Sequence, residues 1–379
     1  MAKRSKARTA GDNARRAEGM IAPSMDALVE RFGTEEACEE HMISLRWPGG
    51  FKCPRCEHGA YARVADRREY RCAGCGWQFS ATSGTALAHT KVPLVKWFRA
   101  AFMVCSDARG ASAQAVAREC GVSDLTGQSM LRRLRTAMGF SMSLCRVGGD
   151  WVEVDGAHVA CGNDGSSATR PGQGRTDAPV LVAVSASRCV ARAASDSTLG
   201  TTEAFCAAHV SRRCRVRCDD NRSNGALAGG WDAARRKDAR GGDSEESLPV
   251  VHHVISNLKA WLSGTFHGVS VRRLQEYCDE FGWRYCHRRG DALADLLGEL
   301  ARWPHVALSE IRSCRVAMEP HPSDGREPGY RHNAKLLERW RGRERRRRER
   351  EAGPRADIPP ELGSLLEEAF EVVELGEAA

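Results

Sequence analysis

Four cysteines constrain this chain more than any other feature. Cys53 and Cys56 bracket Pro54-Arg55; after fifteen further residues Cys72 and Cys75 bracket Ala73-Gly74. A Cys-x2-Cys turn brings two thiolates to one ion, and two such turns complete a tetrahedron around Zn²⁺. Gly74 and Gly76 suit the reversed backbone of the second turn. Between the pairs, residues 61–64 and 68–71 read as the strands of a small ribbon. Four thiolates leave no open coordination position, so the expected ion is structural. Arg63, Arg67, Arg68 and Arg71 either touch phosphates or keep the ribbon solvated. The chain has sixteen cysteines. In a long chain without a secretory signal, the other twelve read as packing thiols rather than a disulfide framework.

The surroundings of the ribbon point to nucleic acid. Residues 1–23 form a polar, basic, alanine-rich arm. A helix capped by Ser24 is predicted up to about residue 41. Up to residue 150 there are 23 Lys and Arg against 15 Asp and Glu, leaving 34 of each in the remainder, so the whole formal charge of +8 sits at the front. That asymmetry suits a DNA-binding front end. Residues 92–105 carry a broad apolar helical stripe. The run from Ser112 to Ser123 then reads as a short helix and a glycine turn at Gly121. Ser123 would cap a second helix over residues 124–138, the helix-turn-helix layout. On that helix Gln128, Arg132, Arg133 and Arg135 are the residue types that reach base edges and phosphates.

Further on, Trp151-Val152-Glu153-Val154-Asp155-Gly156 alternates as a half-buried strand, with Val152 and Val154 on one face and Trp151, Glu153 and Asp155 on the other. Its aspartate is aimed at a sheet edge, where it either opens a turn or holds a metal ion. Residues 162–177 form a Gly/Ser-rich loop with Arg170 and Arg175. Strands follow at 179–186 and 188–194, then a helix at 202–210, then a strand ending in Asp219 and Asp220. Strands first, helix after, and acids at two strand ends is the order of an α/β, RNase H-like fold. No apolar run reaches the roughly 18 residues of a membrane span. A cytoplasmic protein is expected.

The residues from 252 to 281 carry a resemblance. His252-x4-Asn257-Leu258-Lys259-x-Trp261, Gly264-Thr265-x-His267-Gly268 and Asp279-Glu280-Phe281 resemble the bacterial insertion-sequence transposases of the 1595 group, the zinc-ribbon branch of the DDE recombinases. The four-cysteine ribbon and the Val-Glu-Val-Asp strand agree in order and spacing, and the resemblance covers roughly residues 24–289. It implies an RNase H-like domain at 150–290 that cuts and joins DNA with two divalent ions, Mg²⁺ or Mn²⁺. Asp155 would be the bridging ligand and Asp219 the second, with Asp220 its rival. Asn257 is the first choice for the third place, His252 the second and Glu280 a distant one. Lys259 would contact a phosphate.

On this reading residues 24–85 are the helix and ribbon, and 86–146 the helix-turn-helix. The partners are the DNA of the element ends and the target, with a homo-oligomer pairing the ends. Two departures stand out. The second aspartate lies in Cys218-Asp219-Asp220-Asn221 rather than the family's Thr-Asp-Gly-aromatic context. An extension, 291–379, also runs past the family's usual end, with an arginine-rich segment and an acidic tail. An inactive, DNA-binding regulator and a metal-dependent nuclease are the alternative readings.

Overall fold

The computed structural model describes residues 20–64, 67–161, 176–194, 196–219, 231–236 and 248–307. The arm up to residue 19, the loop with Arg170 and Arg175, Asp220, the arginine-rich segment and the acidic tail lie outside the described residues.

Side-chain caps divide the front of the chain. The Ser24 hydroxyl accepts from Ala27 N (3.1 Å) and opens α1, Met25–Phe32; the Thr34 hydroxyl accepts from Ala37 N (3.3 Å) and opens α2, Glu35–Arg46. The single helix expected from Ser24 is therefore two, because Thr34 satisfies an N–H at a fresh helix start. The ribbon has three antiparallel strands rather than two: β1 (Tyr61–Arg63), β2 (Tyr70–Cys72) and β3 (Gln78–Phe79). Its small core is aromatic. Phe79 stacks on Phe51 with centroids 5.1 Å apart and on Trp77 at 5.1 Å. Two of the ribbon's arginines reach back to α2, Arg63 to Glu36 (3.0 Å) and Arg68 to Glu35 (2.9 Å).

Next come α3 (Leu94–Ser106), α4 (Ala113–Cys120) and α5 (Asp124–Leu144). The predicted punctuation between α4 and α5 is present: Gly121 ends α4 in the left-handed region (φ 57°) and Ser123 caps α5, while Ser112 caps the start of α4. A Cβ on Gly127 would come within 2.7 Å of the Ala113 carbonyl oxygen, so glycine is what allows these two helices to touch. Helix α5 runs six residues beyond the predicted 138, and it is a core helix: Met130, Leu131, Leu134, Ala137, Met138, Phe140 and Met142 are buried. The chain beyond residue 290 begins with α9, Ala292–Arg302, capped by Asp291 (Ala294 N, 3.1 Å) and packed on α2, α3 and α5. Its first helix thus belongs to the same core as the front end.

The sheet comprises β4 (Trp151–Cys161), β5 (Thr176–Val184), β6 (Cys189–Ala193), β7 (Arg215–Asp219) and β8 (Asp232–Arg236) in the order β6-β5-β4-β7-β8. The β4–β5 and β5–β6 pairs are antiparallel, and β4–β7 and β7–β8 are parallel. The parallel pair needs a crossover, and α6 (Leu199–His209) supplies it. Val152, Val154, Val216 and Cys218 face the core shared with α5 and α6. Val159, Val180, Val182 and Val184 face α7 (Pro249–Phe266) and the start of α8 (Leu274–His287).

Buried charge fixes α8. Arg192 of β6 pairs with Asp279, donates to the Met142 carbonyl (2.7 Å) and donates to His209 Nε2 (3.2 Å). His209 sits 3.0 Å from the Cys145 carbonyl through Nδ1. Burial, and then the neighbouring Arg192, lower its pKa to about 3. The ring is therefore neutral, accepting at Nε2 and donating at Nδ1.

Candidate functional site

The four cysteines converge. All four sulfurs lie within 4.8 Å of one another, with Cys53–Cys75 and Cys56–Cys72 each at 3.6 Å. A tetrahedral ion with Zn–S bonds of about 2.3 Å requires sulfurs about 3.8 Å apart, so the cage fits zinc. Hydrogen bonding from the Cys75 backbone lowers the Cys72 pKa to about 6, favouring a thiolate there. A Cβ on Gly74 would lie 2.9 Å from His58 Cβ and 3.2 Å from Cys56 Sγ, so the second turn has no room for a side chain. The other described cysteines are free thiols. Purified protein is expected to carry one zinc per chain by elemental analysis, and Cys56→Ser or Cys75→Ser to lower that ratio well below one; a wild-type chain without zinc would refute the cage.

The second cluster lies on the sheet. Asp155 stands in the middle of β4 rather than near its end, because β4 continues to Cys161 against β5. What ends near Asp155 is the parallel pairing: Trp151, Val152 and Glu153 pair with Arg215, Val216 and Arg217. Asp155 and Asp219 are each two positions beyond the last of these pairs. Period-two alternation therefore puts them level, on the same face, on strands about 4.8 Å apart.

Helix α7 covers that face. Leu248, at its N-cap, has no side-chain acceptor, and Pro249 opens its first turn. The first exposed N–H groups are those of Val250 and Val251, and both donate to Glu153 Oε2 at 2.9 Å. A buried carboxylate (5% exposed) from β4 thus caps the helix and meets the positive end of its dipole. One residue further on, His252 Nε2 lies 3.3 Å from Asp155 Oδ2, while Asp155 Oδ1 accepts from Gly156 N (2.7 Å). Glu153 escaped the sequence reading. An acid on the Asp155 face, two residues ahead of it, was its only trace.

Of the expected third ligands, the structure brings His252 to Asp155. Asn257 is exposed on α7, five residues on and about 140° around the helix from His252. Lys259 is exposed on the same helix. Glu280 is 1% exposed and pairs with Arg135 (2.7 Å), so it faces the helical core and not the acids.

The reader helix needs correction. Arg135 is 5% exposed, occupied by Glu280, and lies 4.0 Å from the centre of the Tyr277 ring; Arg132 is 8% exposed. Neither presents a guanidinium to a groove, because α5 is enclosed by α3, α4, α8 and α9. Arg133 is half-buried and donates to the Ala86 carbonyl (3.1 Å). Gln128 alone of the four is exposed. The Gly-Thr-x-His-Gly motif ends α7: His267 adopts the left-handed conformation (φ 53°), and Thr265 Oγ1 donates to the Arg109 carbonyl (2.6 Å).

A zinc cage ahead of an acid-bearing mixed sheet defines a class, and the comparisons place it. Residues 33–78 match the transposase zinc-ribbon domain, and residues 147–285 match the ISXO2-like transposase domain. The two matches follow one another in the order ribbon, then transposase domain, as in the insertion-sequence group that the motifs resemble. An uncharacterized protein in transposable element ISH50 of Halobacterium salinarum is 30% identical over 77 residues, 20% of this chain; the match spans 26% of that relative. A pre-cleavage Mos1 transpososome structure aligns at 12% identity over 54% of this chain and 79% of that one, with a TM-score of 0.18. Among the described residues no helix is long and apolar enough to cross a membrane.

Proposed function

We propose that this chain is the transposase of an insertion sequence, which binds the element's terminal inverted repeats, cuts the strands there and joins the freed 3′ ends to target DNA. What carries the proposal is the register of the parallel strands, whose last pair is Glu153–Arg217. Asp155 and Asp219 each follow that pair by two residues, with His252 3.3 Å from Asp155. The strand order and the α6 crossover fit an RNase H-like reading of the domain, and the α4–α5 pair fits a helix-turn-helix.

Asp155 and Asp219 are the residues that would hold divalent cations. Bound there, Mg²⁺ or Mn²⁺ would supply charge stabilisation for the attacking and leaving oxygens of an in-line displacement. The third place divides geometry from donor chemistry. His252 is the neighbour of Asp155, whereas Asn257 offers the oxygen that Mg²⁺ favours. Glu153 takes no part in binding; by capping α7 it sets the height of His252 over the sheet. The site would act in a cytoplasmic protein, in a homo-oligomer that holds two DNA ends together. Water attacks in the cutting step and the liberated 3′-hydroxyl in the joining step.

The full-length protein should nick DNA bearing the element's ends in Mg²⁺ or Mn²⁺, insert those ends into a second duplex, and stop in EDTA. Cutting without joining and without preference for the ends would make it a nuclease. Binding of the ends without any cutting would make it a regulator.

A further inference from the structure

Beside the acid pair lies a basic cluster that the sequence motifs did not single out. The chain enters β7 as Arg212-Arg213-Cys214-Arg215-Val216-Arg217 and reaches Asp219 two residues later. Val216 and Cys218 are fully buried on the far side of the sheet, so Arg215, Arg217 and Asp219 share the face that carries Trp151, Glu153 and Asp155. Both guanidiniums gather on one ring: Arg215 lies 4.3 Å and Arg217 4.1 Å from the centre of Trp151. Trp151 is only half-buried, and Arg215 is exposed.

Arg217 forms no ion pair among the described residues, although the face carries carboxylates. Its register partner on β4 is Glu153, whose carboxylate is engaged by the Val250 and Val251 N–H groups, and its partner on β8 is Ala234. Arg217 Nε is buried and has no hydrogen-bond acceptor among the described residues. Two like charges held on one half-buried aromatic ring, with Arg215 exposed, form a cradle for an anion; guanidinium donors match phosphate oxygens geometrically. The cradle is also placed for DNA. Arg217 precedes Asp219 by two strand residues, about 6.6 Å. A DNA strand advances about 3.4 Å per nucleotide along a duplex.

We propose that Arg217 and Arg215, held on Trp151, bind backbone phosphates of the DNA strand one or two nucleotides from the phosphate presented to Asp155 and Asp219. The inference rests on the transposase reading given above. Trp151 orients the two side chains and limits their freedom, so less is lost when they engage the strand.

The test is equilibrium binding of full-length protein to end-bearing duplex DNA in EDTA, over a series of NaCl concentrations. Each phosphate contact adds about 0.9 to the slope of log K against log salt. Arg217→Ala should lower the wild-type slope by about 0.9 and Arg215→Ala/Arg217→Ala by about 1.8. The double Lys variant, which keeps the charges, should retain most of the slope. Arg215 is exposed, so Arg215→Gln keeps the test valid should Arg217→Ala fail to fold. An unchanged slope in the folded variants overturns the proposal, as does an affinity loss that is equal at every salt concentration. Wild-type protein that binds no DNA at all would overturn the transposase reading instead, which keeps the two failures apart.

Discussion

Asp155→Ala should abolish cutting and joining while leaving DNA binding in place, with the rate of strand cleavage falling by at least ~10³-fold, roughly 4 kcal/mol of transition-state stabilisation. The size follows from position. On the proposed reading Asp155 is a carboxylate that would hold the divalent cations, and neither His252 nor Gly156 N–H can replace its oxygens. Its side chain is 16% exposed and lies at the surface of the sheet rather than in the hydrophobic core, so the fold has little reason to fail. Removing a negative charge from a surface that meets DNA should leave affinity equal or slightly higher. The measurement is single-turnover cleavage beside a binding titration and a melting curve. A folded Asp155→Ala protein that still cuts would end the catalytic account. His252→Ala and Asn257→Ala, run in the same assay, choose between the candidates for the third place: the larger loss marks the ligand.

How much of this was legible in the sequence depends on the range of the interaction. The zinc cage was readable because its signal is local: two tight turns and a fixed spacing carry the chemistry wherever the ribbon sits. The Ser24, Ser123 and Gly121 punctuation was readable for the same reason. Period two placed Glu153 and Asp155 together on one face of β4. The parallel register that sets Asp155 and Asp219 each two residues past the Glu153–Arg217 pair was only implied, because register between strands 64 positions apart is set by tertiary packing. Arginines on a helix read as surface residues until a partner is known. For Arg135 that partner is Glu280, 145 residues away, and no local pattern joins the two. Residues 292–302 read as the start of an extension, since nothing in their own sequence shows that α9 covers α2, α3 and α5.

The Arg135–Glu280 pair should be the most sensitive point of the fold. Glu280→Ala is expected to destabilise the protein by about 3–5 kcal/mol, because it leaves a guanidinium buried without its counter-charge. Arg135→Ala should cost a similar amount by stranding the carboxylate. Burial alone would lower the Arg135 pKa, but Glu280, and then Tyr277, more than offset it and hold the group charged. Arg284, 3.9 Å from Glu280 Oε1, is too distant and too engaged with the Asp107 carbonyl to take over. The pair is also imperfect: Arg135 Nη2 and Glu280 Oε1 are buried without hydrogen-bond partners. Desolvation of both ions is therefore only partly compensated. Arg135→Met/Glu280→Leu should accordingly recover most of the stability lost by either single change. Urea unfolding of the four proteins measures the cycle. If the single variants lose no more than the double, the pair is not what ties α5 to α8, and apolar packing of Met142 against Gly282 would have to do so. If the double variant recovers, the ion pair serves to set the register of the two helices rather than to add stability.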